Sequence, residues 1–384
     1  MGDASITYFP VGNGDTILIQ LVSGKSIILD CNISKDSQDE EVKSSFDVQS
    51  YLLRTLKKDA SNAYHADVFI LSHPDQDHCR GFDDVFYTGD PAKYSDTHKK
   101  NSLIIIDEIW FSPRVFLPHE KTLCDPAKAF RKEVNRRIEL YKNKGAGYKL
   151  KGNRIRVIGF SDSDKLDGLQ DIVIAPGNSI SFINGSDESD FSFFVHAPFK
   201  KDTDSKWSER NDTSIVLQAR FDVDNTKHAC LVFMGGDAGA AIWEDILDRS
   251  SNADLKWDIF LAPHHCSWTF FSEEPYKDNK TPSDKSLQIL GKKRKGAIVV
   301  SSCKPIKRND DNPPHYAAAN LYKKSVGDDK FYVTSEHPDV KQPLPIVFSM
   351  SKNGPVKEDS SKSSAIVSSA AISDVIGAPQ SYGK

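Results

Sequence analysis

Apolar residues in this chain gather into short runs broken by turns, and several runs stop at groups able to bind metal. Residues 5–9 read as a strand, and Gly12-Asn13-Gly14-Asp15 as a turn of residues that tolerate positive φ. Residues 16–22 and 26–30 predict a hairpin around Ser23-Gly24-Lys25. Val48, Leu52 and Leu56, with Tyr51 beside them, recur at helical spacing and predict a helix over 46–58. The run 66–71 then predicts a buried strand that delivers Ser72-His73-Pro74-Asp75-Gln76-Asp77-His78. This order of strands and helix predicts a mixed sheet covered by helices, hence an α/β chain.

Residues 88–155 read as an inserted elaboration, with a buried strand over 103–111 and a charged helix over 125–141. Short strands are predicted at 153–160, 179–182 and 191–196. In the second half, the strand 229–234 stops at Gly235-Gly236-Asp237, and the strand 257–263 runs into His264-His265. Further strands are predicted at 213–221, 297–302, 331–334 and 345–348, and helices at 238–247 and 315–324. The pattern makes residues 1–350 one domain. Beyond it, residues 351–384 are rich in Ser, Ala and Gly and predict a flexible tail, with 372–376 a candidate docking segment for a protein partner.

The chain has 384 residues, 38% of them apolar, which suffices for a core. A net charge of -4 excludes a global basic field. No run approaches the ~18 apolar residues of a membrane span, and the start of the chain lacks a signal-peptide pattern. The six cysteines include no Cys-x-x-Cys pair, which argues against a zinc ribbon and fits a reducing cytoplasm.

The candidate chemistry lies at four strand ends: Asp30, the run His73 to His78, Asp237, and His264-His265. So many ionisable groups do not bury together without a cation. Roughly six or seven ligands suffice for two divalent ions about 3.5–4 Å apart, with Asp237 the simplest bridge.

The order Asp30, HxDxDH at 73–78, Gly235-Gly236-Asp237 and Pro263-His264-His265 resembles that of the metallo-β-lactamase fold superfamily. It is similar in particular to the soluble hydrolase domain of ComEC-type competence nucleases. Val11-Gly12-Asn13-Gly14-Asp15-Thr16 resembles that group's opening turn, Asn211 to Leu217 its Asn-x-x-Ser-Leu-Val-Leu strand, and Pro263-His264-His265-Cys266-Ser267 its Pro-His-His-Gly-Ser step. Pro314-His315 takes the place of a later helix start. The resemblance implies a four-layer αββα sandwich with two divalent ions, Zn²⁺ or Mn²⁺, in its groove. His73 and Asp75 would hold one ion, Asp77 and His78 the other, and Asp237 would bridge. One of His264 and His265 would complete the second site, and Asp30 would brace the loop by hydrogen bonding. Asp75 stands where most relatives have histidine; an oxygen ligand there hardens the site and makes Mn²⁺ more competitive with Zn²⁺. His196 and Asn211 are further candidates to face the metals, and Cys266 replaces a glycine.

The activity so implied is metal-dependent hydrolysis of a phosphodiester, with nucleic acid or a nucleotide as substrate and a hydroxide supplied between the two metals. Asp77 would orient the nucleophile, and His265 or His315 would donate to the leaving oxygen or clamp a phosphate. Lys304, Lys307 and Arg308 could approach phosphates, as could Lys200-Lys201 and the run 292–295. Trp268, Phe270 and Phe271 would form either a stacking wall or core. Two other readings stand beside this one: a hydrolase of a small ester, thioester or lactone, and a non-catalytic interaction subunit of a multi-protein system such as one of defence.

Overall fold

The computed structural model describes residues 3–34, 46–116, 123–160, 166–204, 210–309 and 311–359. They form an α/β protein built on two large mixed sheets. The main path of the first sheet runs, in spatial order, Gly354–Lys357, Ile346–Ser351, Ser5–Tyr8, Ile17–Gln20, Ser26–Leu29, Tyr64–Ile70, Ile104–Phe111, Arg154–Ile158 and Val173–Ile174. Pairing is antiparallel as far as Ser26–Leu29 and parallel beyond it. The second runs Ser179–Ile180, Phe191–Ala197, Val216–Val223, Thr226–Met234, Trp257–Leu261, Lys293–Ser301 and Phe331–Val333, and also turns parallel half-way.

Alternation along the strands sorts side chains into three apolar layers. Ile6, Tyr8, Ile17 and Ile19 of the first sheet meet Phe191, Phe193, Val195 and Leu217 of the second. The opposite face of the first sheet, with Leu18, Ile28 and Phe69, packs on Tyr51, Leu52 and Phe130 from the helices Val48–Thr55 and Asp125–Lys142. The outer face of the second, with Phe233, Phe260 and Val299, packs on Trp243, Ile246 and Tyr322 from Ala240–Arg249 and Tyr316–Val326. Among the described residues, no helix is long and apolar enough to cross a membrane.

The parallel halves position the candidate site. Parallel strands all end on the same edge, where their following loops meet. Ser26–Leu29, Tyr64–Ile70, Thr226–Met234 and Trp257–Leu261 thus bring Asp30, residues 72–78, Asp237 and His264-His265 to two facing edges.

Several elements differ from expectation. The helix predicted over 46–58 stops at Thr55, with Asp47 accepting from Ser50 N (2.9 Å) at its start; Lys57 and Lys58 instead pair with His65 and Tyr64. Gln76–Cys79 closes the metal loop as one helical turn. Ile104–Phe111, from the expected elaboration, lies between two parallel neighbours inside the sheet. Asp284–Gly291 is a helix that the pattern did not predict. Gly354–Lys357 is a strand inside the expected tail; residues 360–384, with the docking segment 372–376, lie outside the described residues. The basic run 292–295 opens the strand Lys293–Ser301, whose other end reaches the candidate site. At ~3.3 Å per residue it lies roughly 25 Å from the metal edge and is no phosphate contact there.

The opposite end of the first sheet is closed by buried polar groups. Asn184, near-buried, donates from Nδ2 to Asp67 Oδ1 (2.7 Å) and Asp107 Oδ2 (2.8 Å), and from its backbone to Glu108 Oε2 (2.8 Å). Removing that amide leaves two carboxylates each short of a donor. Asn184→Ala is expected to cost about 2–4 kcal/mol of stability, read as a lower urea midpoint at unchanged slope.

Candidate metal centre

Asp237 is the hub of the site. The turn Gly235-Gly236 aims it into the gap between the sheets, with Gly236 at φ 50° against Ser72 and Ser214. Its backbone N–H donates to Ser214 Oγ (3.3 Å). The carboxylate is 3% exposed and meets imidazoles on both oxygens. Oδ1 lies 3.0 Å from His78 Nε2 and 3.4 Å from His265 Nε2. Oδ2 lies 3.5 Å from His264 Nε2 and 3.6 Å from His73 Nε2.

On the Oδ1 side, the two Nε2 atoms are 3.2 Å apart, and Asp77 Oδ2 stands 3.4 Å from His265 Nε2. A tetrahedron with arms of ~2.0–2.1 Å has edges of about 3.3 Å, so these separations fit donors around one small cation. Neither Asp237 Oδ1 nor His73 Nε2 makes a hydrogen bond, although both are buried. Buried polar atoms left this way point to a missing partner. On the Oδ2 side, His73 Nε2 is 3.8 Å from Asp75 Oδ2, whose other oxygen forms an ion pair with Arg210 Nε at 2.7 Å.

Hydrogen bonds hold the rings in place. Asp30, at φ 59°, accepts from Ser72 N (2.7 Å), Ser72 Oγ (2.6 Å) and His78 Nδ1 (2.7 Å). A proton on His78 Nδ1 leaves Nε2, which faces Asp237, as the ring nitrogen that a metal could take. His265 Nδ1 lies 3.0 Å from the Ser302 carbonyl and 3.2 Å from Gly14 N, which holds the ring with Nε2 toward Asp237. His264, His265 and Cys266 take φ of 49°, 52° and 67°, three successive left-handed residues without a glycine. That costs about 1–2 kcal/mol per residue and persists because the turn is anchored at His264 N–Gly236 O (3.0 Å) and His315 N–Cys266 O (2.9 Å).

The four buried residues Asp15, His78, Asp237 and His265 form a group that could hold a metal ion. Seven of the sequence-predicted ligands thus gather here: His73, Asp75, Asp77, His78, Asp237, His264 and His265. Both histidines of the 264–265 pair reach Asp237, one to each oxygen. Asp15 was not among the predicted ligands. It lies 3.9 Å from the Nδ1 atoms of both His78 and His265, held by Asp15 N–Asp77 O (3.2 Å). Its only signal in the sequence is a carboxylate closing the turn 12–15.

Other predicted residues lie elsewhere. His196 faces the outer helix layer, bonded through Nδ1 to Ser250 Oγ (3.1 Å) and packed on Phe233, so it does not join the metal group. Asn211 opens the turn Asn211–Thr213, its carbonyl accepting from Ser214 N (3.0 Å). His315 caps the helix Tyr316–Val326, accepting from Ala317 N (3.3 Å), with its ring on Tyr276. Trp268, Phe270 and Phe271 are buried in the outer core, not a stacking wall. No protein-family model matches the chain, and comparison with curated proteins finds no match.

Charge follows this geometry. Burial opposes a charged His78, but Asp237 and Asp30 outweigh it and hold the imidazole well above its ordinary range. Burial likewise opposes ionised Asp237, yet His78, His265 and His73 keep it well below the carboxylate range. Burial raises Asp15 to about 6, partly offset by His265 and His78. A metal entering here displaces protons from the rings, so binding strengthens as pH rises.

Asp30→Asn keeps the size of the brace but not its charge, and should weaken metal affinity about 10–100-fold, measured by competition with a chelator. Asp15 gives a second expectation for the metal-free protein. From its ordinary 3.8 up to about 6, the folded state keeps a proton that the unfolded chain has lost, so stability falls as pH rises through that window. Asp15→Asn should therefore stabilise the metal-free protein by about 2–3 kcal/mol near pH 7 and by nothing below about pH 4, read from urea midpoints in chelator.

Proposed function

We propose that this chain is a dinuclear metal-dependent hydrolase acting on a phosphodiester, built on an αββα sandwich of the metallo-β-lactamase type. The observation that carries the reading is the two-sided coordination offered by Asp237: His78 and His265 on Oδ1, His73 and His264 on Oδ2. The helix–sheet–sheet–helix layering and the motif order support the fold assignment.

Residues on the Oδ1 side would hold one divalent ion through His78, His265 and Asp237, with Asp77 completing it. His73, Asp75 and His264 would hold a second against Oδ2. Bound Zn²⁺ or Mn²⁺ supplies Lewis acidity and a water acidic enough to act as nucleophile near neutral pH. Asp77, a third exposed, stands at the open side of the group. Burial opposes its ionisation, but His265 and His78 hold it below the usual carboxylate range, so it is an anion that accepts a hydrogen bond and orients an attacking water. Arg210 draws one Asp75 oxygen away from the centre and lowers the negative charge that a phosphodiester meets on approach.

The test is metal analysis of the purified protein together with hydrolysis of bis(p-nitrophenyl) phosphate under added Mn²⁺ or Zn²⁺. His78→Ala and Asp237→Ala should each lose bound metal and about 10³-fold or more in rate. Parent protein that takes up metal yet hydrolyses no phosphodiester, or variants that keep full rate, would overturn the reading.

A further inference from the structure

The loop that leaves the strand Lys293–Ser301 at the metal edge carries Lys304, Lys307 and Arg308. Its backbone is fixed. Ser302 donates from Oγ to Gly14 O (2.6 Å) while its carbonyl holds His265; Lys304 N donates to Asn13 Oδ1 (2.9 Å); Ile306 N donates to Glu336 Oε1 (3.0 Å). Asn13 Nδ2 closes the arrangement on Pro313 O (2.9 Å). The exposed side chains of Lys304, Lys307 and Arg308 make no ion pair among the described residues. The backbone is thus ordered while the cations are left unspent, the condition in which a charged ligand loses least to ordering the protein.

Beyond Lys304, the loop opens into a pocket of about 490 Å³ lined by Lys307, Arg308, Lys323, Asn320 and the ring of Tyr316. Asp328 and Glu336 also line it, so with Lys304 the tract carries four cations against two carboxylates, and one of those already accepts from Ile306. Lys304 itself lies over Gly12 on the neighbouring side of the loop; cations beside a tyrosine suit a strand whose phosphates and bases are both exposed.

We propose that Lys304, Lys307, Arg308 and Lys323 form a phosphate-binding tract for single-stranded nucleic acid leading away from the metal centre. This rests on the hydrolase reading and names the substrate: an oligonucleotide, not a mononucleotide. Lys307 is five residues beyond Ser302, at most ~18 Å of chain. At the ~3.4 Å per nucleotide of a stacked strand, up to roughly five nucleotides beyond the cleaved bond reach it.

The experiment measures affinity of the metal-loaded chain for single-stranded DNA and RNA of two and twenty nucleotides, with Ca²⁺ replacing the active ion, across a salt series. The longer strand should bind at least tenfold tighter, with a steeper salt dependence. Lys307→Ala/Arg308→Ala should flatten the slope of log K against log salt by about 1.4, from ~0.7 per single-strand contact. Arg308→Glu, with the parent's melting temperature and metal content, should weaken the longer strand more than the dinucleotide. Equal affinity for both lengths, or an unchanged slope in both variants, would overturn the tract. Hydrolysis of bis(p-nitrophenyl) phosphate by the parent reads the metal centre alone, so failure of the tract is separable from failure of the hydrolase reading.

Discussion

A buried carboxylate meets four imidazole nitrogens at 3.0–3.6 Å in Asp237, and the architecture around it serves to make that tolerable. An isolated ion so far from water would cost several kcal/mol. His78 and His265, both held above their ordinary range by Asp237, repay that cost as protonated rings when no metal is present, and neutral rings could do so as ligands around a cation. Both states need the rings held in place without a metal to hold them. Asp30 does this at His78 Nδ1, and Gly14 N with the Ser302 carbonyl does it at His265 Nδ1. The site is therefore preorganised: the donors converge because the protein orders them, and little of the binding energy is lost in ordering them.

That ordering depends on topology. Asp30, Ser72 and His78 form one network only because Ser26–Leu29 and Tyr64–Ile70 are adjacent parallel strands with ends in register. The bond Ile215 N–Ser72 O (3.0 Å) then ties this edge to the second sheet, just before the strand Val216–Val223. Disturbing either edge moves ligands on the other. The polar group around Asn184 bonds Asp67 within Tyr64–Ile70 and Asp107 within the neighbouring Ile104–Phe111, so it steadies that pair of strands from below the edge.

Much of this was legible from sequence, for local reasons. Apolar runs that stop at ligand-type residues mark strand ends, and strand ends on one edge converge, so His73 to His78, Asp237 and the 264–265 pair could be read together. Asp15 could not be read so, because its place beside His78 and His265 comes from the long-range contact of its backbone with Asp77. His196 misled for a different reason. Phe191, Phe193 and Val195 face the layer between the sheets, so alternation places His196 on the other face; its residue type suggested metal, while its parity excludes it. The run 292–295 shows the same limit: composition located the charge, but only strand direction shows which end of the sheet it occupies.

The left-handed turn at 264–266 joins these arguments. In an extended strand, two consecutive side chains point to opposite faces, and adjacent histidines could not both approach one carboxylate. In the left-handed conformation they diverge by less, and His264 and His265 reach the two oxygens of Asp237 from one side. A glycine at 266 would ease the last of the three positive φ values, yet the chain has Cys266, fully buried in the outer core. Packing there, and the bond from His315 N, supply what the backbone loses. His315 thus acts on the centre by fixing the turn that aims the histidine pair, a positioning role that its motif alone did not distinguish from catalysis.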